Sequence, residues 1–141
     1  MNHTTRLFHR LGLVCALTLL LLPGSTLAQT EDEVFELRTY TSTPGNLDAL
    51  LSRFRDHTMR IFEKHGMTNV GYWVPTDPEL ADDTLIYVLR HESRARADAA
   101  WQAFVSDPEW QEVAEESNAN GPILDNVERV FMQATDFSPM P

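Results

Sequence analysis

Hydrophobic and polar side chains alternate along the first strongly patterned stretch of the chain, Val34 to Thr41. Side chains of a β-strand point to opposite faces with a period of two, so this pattern predicts a strand with Phe35 and Leu37 on one face. We expect this apolar pair to pack in the core. The opposite face carries a carboxylate, a guanidinium and a phenol, from Glu36, Arg38 and Tyr40.

A helix is predicted after this strand, from about Asn46 to His65. Pro44 and Gly45 end the strand, because proline removes a ladder donor and glycine permits a turn. The helix has one largely apolar stripe with steps of three and four residues, made of Leu47, Leu50, Leu51, Phe54, Thr58, Ile61, Phe62 and His65. Its polar side is expected to carry Arg53, Asp56, Arg60, Glu63 and Lys64. Gly66 is the expected C-terminal cap.

The remaining pattern predicts three more strands and two more helices. The strands are expected over residues 68–74, 84–91 and 126–134, and the helices over residues 93–105 and from 107 to about 118. Ser93 and Asp107 are the predicted N-caps, with Pro108 at the first helical position. Leu85 to Leu89 is apolar without alternation, so both faces of the third strand are expected to be covered.

The order of elements, β-α-β-β-α-β, predicts an α+β fold of the ferredoxin-like type. Its four-stranded antiparallel sheet carries the helices on one face and leaves the other face open. A second copy is the simplest cover for an apolar open face, and two such sheets form a dimeric α+β barrel. With Phe35 and Leu37 in the core, the polar face of the first strand would line the interior of that barrel.

The N-terminus has the features of a secretory signal peptide. Arg6 and Arg10 precede an apolar run of 12 residues, and small residues favour cleavage near Ala28. A transmembrane helix needs about 20 apolar residues, so a retained anchor is the less favoured alternative. We predict export to the periplasm or the medium, with no stable membrane anchor after cleavage. The predicted divisions are a signal peptide (1–28), a flexible lead-in (29–33), one domain (34–135) and an irregular tail (136–141).

Composition excludes several partners and chemistries. The only cysteine, Cys15, lies in the leader, so the mature chain is expected to have no disulfide, thiolate nucleophile or cysteine-bound metal. Without Arg6 and Arg10, nine basic residues face 21 acidic ones, a formal charge of −12. Such a surface repels phosphate backbones and anionic lipids, so neither nucleic acid nor a membrane surface is an expected partner.

Several short motifs resemble those of the NIPSNAP family. They occur in the order FELRTYT, PG, KHG, VGYW, RHES and DPEW, with Arg94 and Arg96 after the RHES motif. The resemblance extends from about Val34 to Pro139 and implies a dimeric α+β barrel, a fold shared with small monooxygenases and haem-handling proteins. It implies no agreed reaction. Where the family pattern leads us to expect an aromatic residue, commonly tyrosine, the chain has His91, so a tyrosine-dependent role is not transferred to this position.

A polar pocket is predicted on the face of the first strand that carries Glu36, Arg38 and Tyr40. Arg38 can bind a carboxylate or phosphate through two hydrogen bonds, and a phenol can donate or accept one. The candidate ligand-binding residues are Glu36, Arg38, Tyr40, Trp73, Arg90 and His91. The alternative is that Glu36 and Arg38 form an ion pair with neighbours at the dimer contact.

The histidines are the remaining candidates for chemistry. His91 can act as a base, a proton shuttle or a metal or haem ligand, and a hydrogen-bonded structural role is the alternative. His57 and His65 lie on roughly one side of the first helix, and the helix dipole explains a histidine in its last turn. No acidic residue completes a metal pattern, so neither a metal nor a cofactor is predicted.

The leading functional interpretation is an exported homodimer that binds a small, aromatic or anionic molecule. One alternative is a cofactor-independent monooxygenase or isomerase that uses Arg38, Tyr40 and His91 as binder, acid and base, or a haem-contacting protein. The other is a non-catalytic structural or partner-binding module. No catalytic residue is assigned from the sequence.

Overall fold

A computed structural model describes residues 32–139 of the chain. The predicted signal peptide, residues 1–28, lies outside the described residues. The elements are β1 (Val34–Ser42), α1 (Leu47–Arg53), a π-helical segment (Phe54–Thr58), α2 (Met59–Lys64), β2 (Thr68–Trp73), β3 (Thr84–His91), α3 (Arg94–Val105), α4 (Pro108–Ser117) and β4 (Leu124–Met132). The α1, π-helical and α2 segments follow one another directly and are called the first helix below. The predicted β-α-β-β-α-β order is confirmed.

All four strands form one antiparallel sheet in the order β2-β3-β1-β4. This is the ferredoxin-like arrangement, so the predicted fold class is confirmed. The largest difference in bounds is at β4, which begins and ends two residues earlier than predicted. Within residues 32–139, no helix is long and apolar enough to span a bilayer.

The two faces of β1 are the reverse of the prediction. Tyr40 packs against Phe54 of the first helix and Tyr87 of β3, with ring centroids 5.7 and 5.2 Å apart. The polar set of Glu36, Arg38 and Tyr40 therefore faces the helices. Phe35 and Leu37 pair with Arg90 and Val88 on the open face. The prediction was wrong because a period of two determines which residues share a face but not which face meets the helices.

The core fills the space between the sheet and the helices and is rich in aromatic rings. Phe54 and Phe62 of the first helix pack on Tyr87 with centroids 5.1 and 6.0 Å apart. Phe104 of α3 adds a ring 4.9 Å from Phe62. Aromatic side chains bury large apolar areas, so this cluster holds the first helix and α3 on the same sheet face.

A π-helical turn interrupts the first helix. The Met59 amide donates to the Phe54 carbonyl, a five-residue step, and the Thr58 hydroxyl donates to the Arg53 carbonyl at 3.2 Å. Arg53 is buried, although the sequence pattern assigned it to the polar side. A step of three residues along an α-helix falls about 60° short of a full turn. Arg53 therefore lies beside Leu50 on the helix surface. That flank is covered by α4, which the pattern of a single helix does not reveal.

The predicted caps are confirmed. Ser93 Oγ accepts a hydrogen bond from the Arg96 amide at 3.1 Å, and Asp107 Oδ1 accepts one from the Glu109 amide at 3.0 Å. Gly66 ends the first helix with φ of 78°, in the left-handed region that favours glycine. These caps satisfy helix-end groups that would otherwise lack partners.

Asp107 also binds the end of the first helix. Its Oδ2 lies 2.7 Å from both Lys64 Nζ and His65 Nε2, and these bonds lower the pKa of Asp107 from its ordinary 3.8 to about 2. A carboxylate whose pKa is lower in the folded state stabilises the fold above its unfolded pKa and loses that effect as the pH falls through the folded pKa. The contribution of Asp107 should therefore disappear between about pH 4 and pH 2.

We predict that Asp107→Asn lowers the free energy of unfolding at pH 7 and that its difference from the wild type vanishes near pH 2. Asparagine is an equally good N-cap, so the substitution isolates the charge. Urea unfolding at several pH values measures the effect. Asp98→Asn, at an exposed pair with Arg94, is the control and should differ little from the wild type at any pH. A constant difference for Asp107→Asn down to pH 2 would contradict the prediction.

Candidate functional site

The buried Glu36 carboxylate is the centre of a polar cluster under the helices. It accepts hydrogen bonds from Arg38 Nη1 at 2.7 Å, His91 Nε2 at 3.0 Å and Trp101 Nε1 at 2.6 Å. Burial raises the pKa of Glu36, but the bonds from His91 and Trp101 and the charge of Arg38 outweigh it and lower the pKa. The carboxylate is therefore ionised at neutral pH.

Aromatic rings cover the Arg38 guanidinium. Its Cζ lies 4.0 Å from the Trp101 ring centroid and 5.4 Å from that of Tyr40. A cation over an aromatic face is stabilised by the ring quadrupole. Glu36 and Arg38 pair with each other within one chain and under the helices, whereas the alternative interpretation paired them with neighbours at a dimer contact. Arg38 Nε remains without a partner.

Tyr87 lies next to Arg38 on the neighbouring strand. Its ring is fully buried, and its hydroxyl lies close to Tyr40 but makes no hydrogen bond of normal distance and angle. Burial raises the pKa of Tyr87 well above its ordinary value, so the phenol stays neutral and keeps a proton to donate. In contrast, the Tyr72 hydroxyl donates a hydrogen bond to Asn69 at 2.5 Å. The Tyr72 ring stacks on Tyr87, with the two centroids 5.3 Å apart.

Arg53 reaches the interior from the first helix. Its Nη1 donates to Ser117 Oγ at 3.2 Å, its Cζ lies 5.3 Å from the Trp110 ring centroid, and its Nε has no partner. Burial lowers the pKa of the Arg53 guanidinium, because desolvation disfavours the charged form. Arg53 was assigned to the solvent side of the helix and was missed as a site residue.

His91 is held by Glu36 and is only 2% exposed. A carboxylate only accepts hydrogen bonds, so Nε2 is the donor and Nδ1 of a neutral ring is an acceptor. Nδ1 is buried without a partner. This arrangement orients the imidazole with Nδ1 as the basic nitrogen. Because Nε2 already donates to Glu36, coordination of a haem iron by Nε2 is disfavoured.

Trp73 and Arg90 do not join this cluster. Trp73 pairs with Ile86 and Arg90 with Phe35, so both lie on the open face with those residues. Arg90, near the end of β3, is 3.6 Å from Glu33, which directly precedes β1. The six predicted ligand-binding residues therefore divide between two faces, with Glu36, Arg38, Tyr40 and His91 together under the helices. Their separation follows from the same reversal of strand faces described above.

The other two histidines within residues 32–139 have a structural contact or are exposed. His65 binds Asp107, and His57 lies at the surface of the first helix. In the part of the chain that the structure describes, no three His, Cys, Asp or Glu side chains are grouped to hold a metal ion.

The fold and this site define an α+β protein with a buried, partly unpaired polar cluster between a ferredoxin-like sheet and its helices. The NIPSNAP family model matches residues 35–139, and the chain belongs to that family. The predicted family resemblance is thereby confirmed. No curated protein sequence matches the chain.

Solved structures share the fold. A NIPSNAP-like domain protein from Burkholderia xenovorans is 18% identical, with a TM-score of 0.67 over 78% of this chain and 91% of that one. A monooxygenase from Streptomyces coelicolor, solved with nanaomycin D, is 16% identical, with a TM-score of 0.55 over 78% and 93%. SnoaB, a cofactor-independent oxygenase from Streptomyces nogalater, is 16% identical, with a TM-score of 0.51 over 77% and 99%. At these identities the likeness establishes the fold alone.

Three residues of the cluster were not predicted as site residues. Tyr87 lies in the strand centre that was predicted to be covered on both faces, and Trp101 lies on the helix predicted over residues 93–105, but neither was named as a candidate. Arg53 was assigned to the solvent. A buried indole N–H needs an acceptor, but the sequence alone did not place Trp101 over the strand face that carries Glu36.

We predict that Glu36→Gln lowers the free energy of unfolding by about 3–5 kcal/mol, the usual cost of removing one partner of a buried ion pair. The side-chain amide of the introduced glutamine would also place its N–H groups against the N–H groups of Trp101 and His91, where no acceptor remains for them. Urea unfolding at pH 7 measures the change. Glu33→Gln, at an exposed pair with Arg90, is the matched control and should change stability by less than about 1 kcal/mol. A loss below about 1 kcal/mol for Glu36→Gln would refute the role given to its three bonds.

Proposed function

We propose that the protein is an exported homodimer that binds a small aromatic molecule on the helix-facing side of its sheet, beside Arg38, Tyr40 and Tyr87. The observation that carries this proposal is the set of buried polar atoms without partners. Nearly all buried polar groups in proteins are hydrogen-bonded, so each exception needs a cause. Here Arg38 Nε and the Tyr87 hydroxyl belong to side chains that lie opposite each other on adjacent strands.

The surroundings favour a flat ligand. The Tyr40 and Trp101 rings flank the Arg38 guanidinium, and the Tyr87 ring packs on Tyr40. Aromatic pairs gain energy from edge and offset contacts. A ligand hydroxyl or phenolate oxygen can accept from Arg38 Nε and from the Tyr87 hydroxyl. Both donors would then be satisfied by one oxygen atom.

The dimer is proposed from the open face of the sheet. Large apolar side chains lie exposed there, namely Val70 at 41%, Trp73 at 53%, Val130 at 55% and Met132 at 36%. Contiguous apolar patches of this kind are typical of protein interfaces. An isologous contact between two copies would cover the same patch on both. Export rests on residues 1–28 of the sequence and stays a prediction.

A second candidate function is that of a cofactor-independent oxygenase, as described for SnoaB. The Glu36–His91 pair favours it, because a carboxylate that orients an imidazole leaves Nδ1 free to remove a substrate proton. With 1-naphthol as substrate, one O₂ would insert one oxygen atom into the ring and release the other as water, giving 1,4-naphthoquinone. Oxygen uptake during titration distinguishes turnover from binding, and its absence would refute an oxygenase acting on this compound.

We predict that Tyr87→Phe weakens the binding of 1-naphthol about tenfold while preserving or raising stability. The hydroxyl has no partner in the protein, so its removal costs the fold nothing, whereas a ligand loses a hydrogen bond worth about 1 kcal/mol or more. Tryptophan fluorescence titration measures the affinity. Tyr72→Phe is the matched control, because its hydroxyl bonds to Asn69 and should affect stability but not binding. Equal affinities of Tyr87→Phe and the wild type, or no binding by the wild type, would contradict the proposal.

We predict that Val130→Glu converts the protein from dimer to monomer, because a charge on the open face would be buried without a partner. Analytical ultracentrifugation at micromolar concentration measures the state. Val105→Glu is the control, since Val105 is 54% exposed on α3, almost the same as Val130, but lies away from the open face. A wild-type monomer, or a dimer retained by Val130→Glu, would refute the open face as the interface.

A further inference from the structure

A cleft of about 350 Å³ opens between α1 and α4. Its walls include Arg53 and Ser117, and Asp56, His57 and Glu116 also line it. Arg53 is 6% exposed, so a nearly buried arginine forms part of the wall of a cleft that reaches the surface. This cleft is separate from the open face, where the dimer is proposed.

Arg53 lacks a counter-charge. Arg38, which is also buried, is paired with Glu36, and exposed arginines such as Arg60 and Arg94 also pair with carboxylates. Among the described residues, Arg53 has no carboxylate within 4.0 Å; its polar contact is the Ser117 hydroxyl. Trp110 offers a ring face but no negative charge. A buried cation normally has an anionic partner, because desolvation penalises an isolated charge.

We propose that the cleft between α1 and α4 binds the carboxylate group of the ligand and that Arg53 is its counter-ion. This inference rests on the proposed function, since the carboxylate would belong to the same aromatic molecule. Phe54, the next residue, packs on Tyr40 and Tyr87, so the cleft lies one side chain away from the proposed ring site. Phe54 is 3% exposed and fills the space between them, so a ligand that occupied both sites would displace its ring.

The geometry selects a planar monoanion. A guanidinium presents Nε–H and one Nη–H along one edge, which matches the two oxygens of a carboxylate. With Arg53 Nη1 on Ser117, Nε is unpartnered but buried, so a ligand carboxylate would reach it through a shift of the Arg53 side chain towards the cleft. Asp56 and Glu116 also line the cleft, and a dianion such as phosphate would meet more repulsion from them. The chain as a whole is strongly acidic, so selection of an anion depends on this local cation.

The test compares 1-naphthoate with 1-naphthamide, which has the same rings but no charge. Tryptophan fluorescence follows the titrations of the wild type, Arg53→Gln, Arg53→Lys and the control Arg55→Gln, whose side chain is exposed on the same helix. We expect 1-naphthoate to bind the wild type and Arg55→Gln equally. Arg53→Gln should weaken 1-naphthoate about tenfold or more and leave 1-naphthamide unchanged, and Arg53→Lys should be intermediate because it keeps the charge but loses the planar fork.

The ratio of the two affinities separates recognition from packing. If Arg53 only attaches α4 to the first helix, Arg53→Gln lowers the urea midpoint but leaves the ratio unchanged, which overturns the inference. Equal binding of 1-naphthoate and 1-naphthamide to the wild type, or no binding of 1-naphthoate, also overturns it. In either case a retained effect of Tyr87→Phe on 1-naphthol would leave the proposed function intact, so the two failures are distinguishable.

Discussion

The buried carboxylate of Glu36 is the interaction on which the helix-facing side of the sheet depends. An ionised group in the interior is tolerated only when donors replace its water. Glu36 receives three donors, from Arg38 on its own strand, His91 on β3 and Trp101 on α3. One charge therefore joins the sheet to a helix and also determines the orientation of the guanidinium and the imidazole.

The same cluster is incompletely satisfied elsewhere. Arg38, Arg53, Tyr87 and His91 each retain a buried polar atom without a partner, and each such atom costs about 1–3 kcal/mol. A sequence under selection for stability alone would replace some of these groups with apolar side chains. Departures from local consistency are expected at functional sites, which is why the proposed binding site lies on this side of the sheet.

Two faces of the sheet are thus given different roles. The open face is apolar and exposed, a composition suited to a second copy, whereas the helix-facing side combines rings with paired and unpaired charges. A ligand under the helices would leave the open face free for the dimer. The first helix connects the two proposed subsites, because its π-helical turn begins directly after Arg53 with Phe54, whose ring contacts Tyr40 and Tyr87.

The order of elements, the strand positions and the caps at Ser93, Asp107 and Gly66 follow from the sequence, because they depend on local periodicity and on the backbone preferences of single residues. The family also follows from motifs in the chain. The sequence likewise determines that Glu36, Arg38 and Tyr40 share a face. It does not determine whether that face meets the helices or the open side, and its pattern favoured the wrong one.

Tertiary structure decided the chemistry of the site. Glu36 is compatible with the core only because Trp101 and His91, 65 and 55 residues away in the chain, supply donors. Arg53 is buried only because α4 packs on that flank of the first helix. Both results depend on contacts between segments that are distant in the sequence. Burying these charged side chains is costly, and the partners that offset the cost are brought together only by the folded chain.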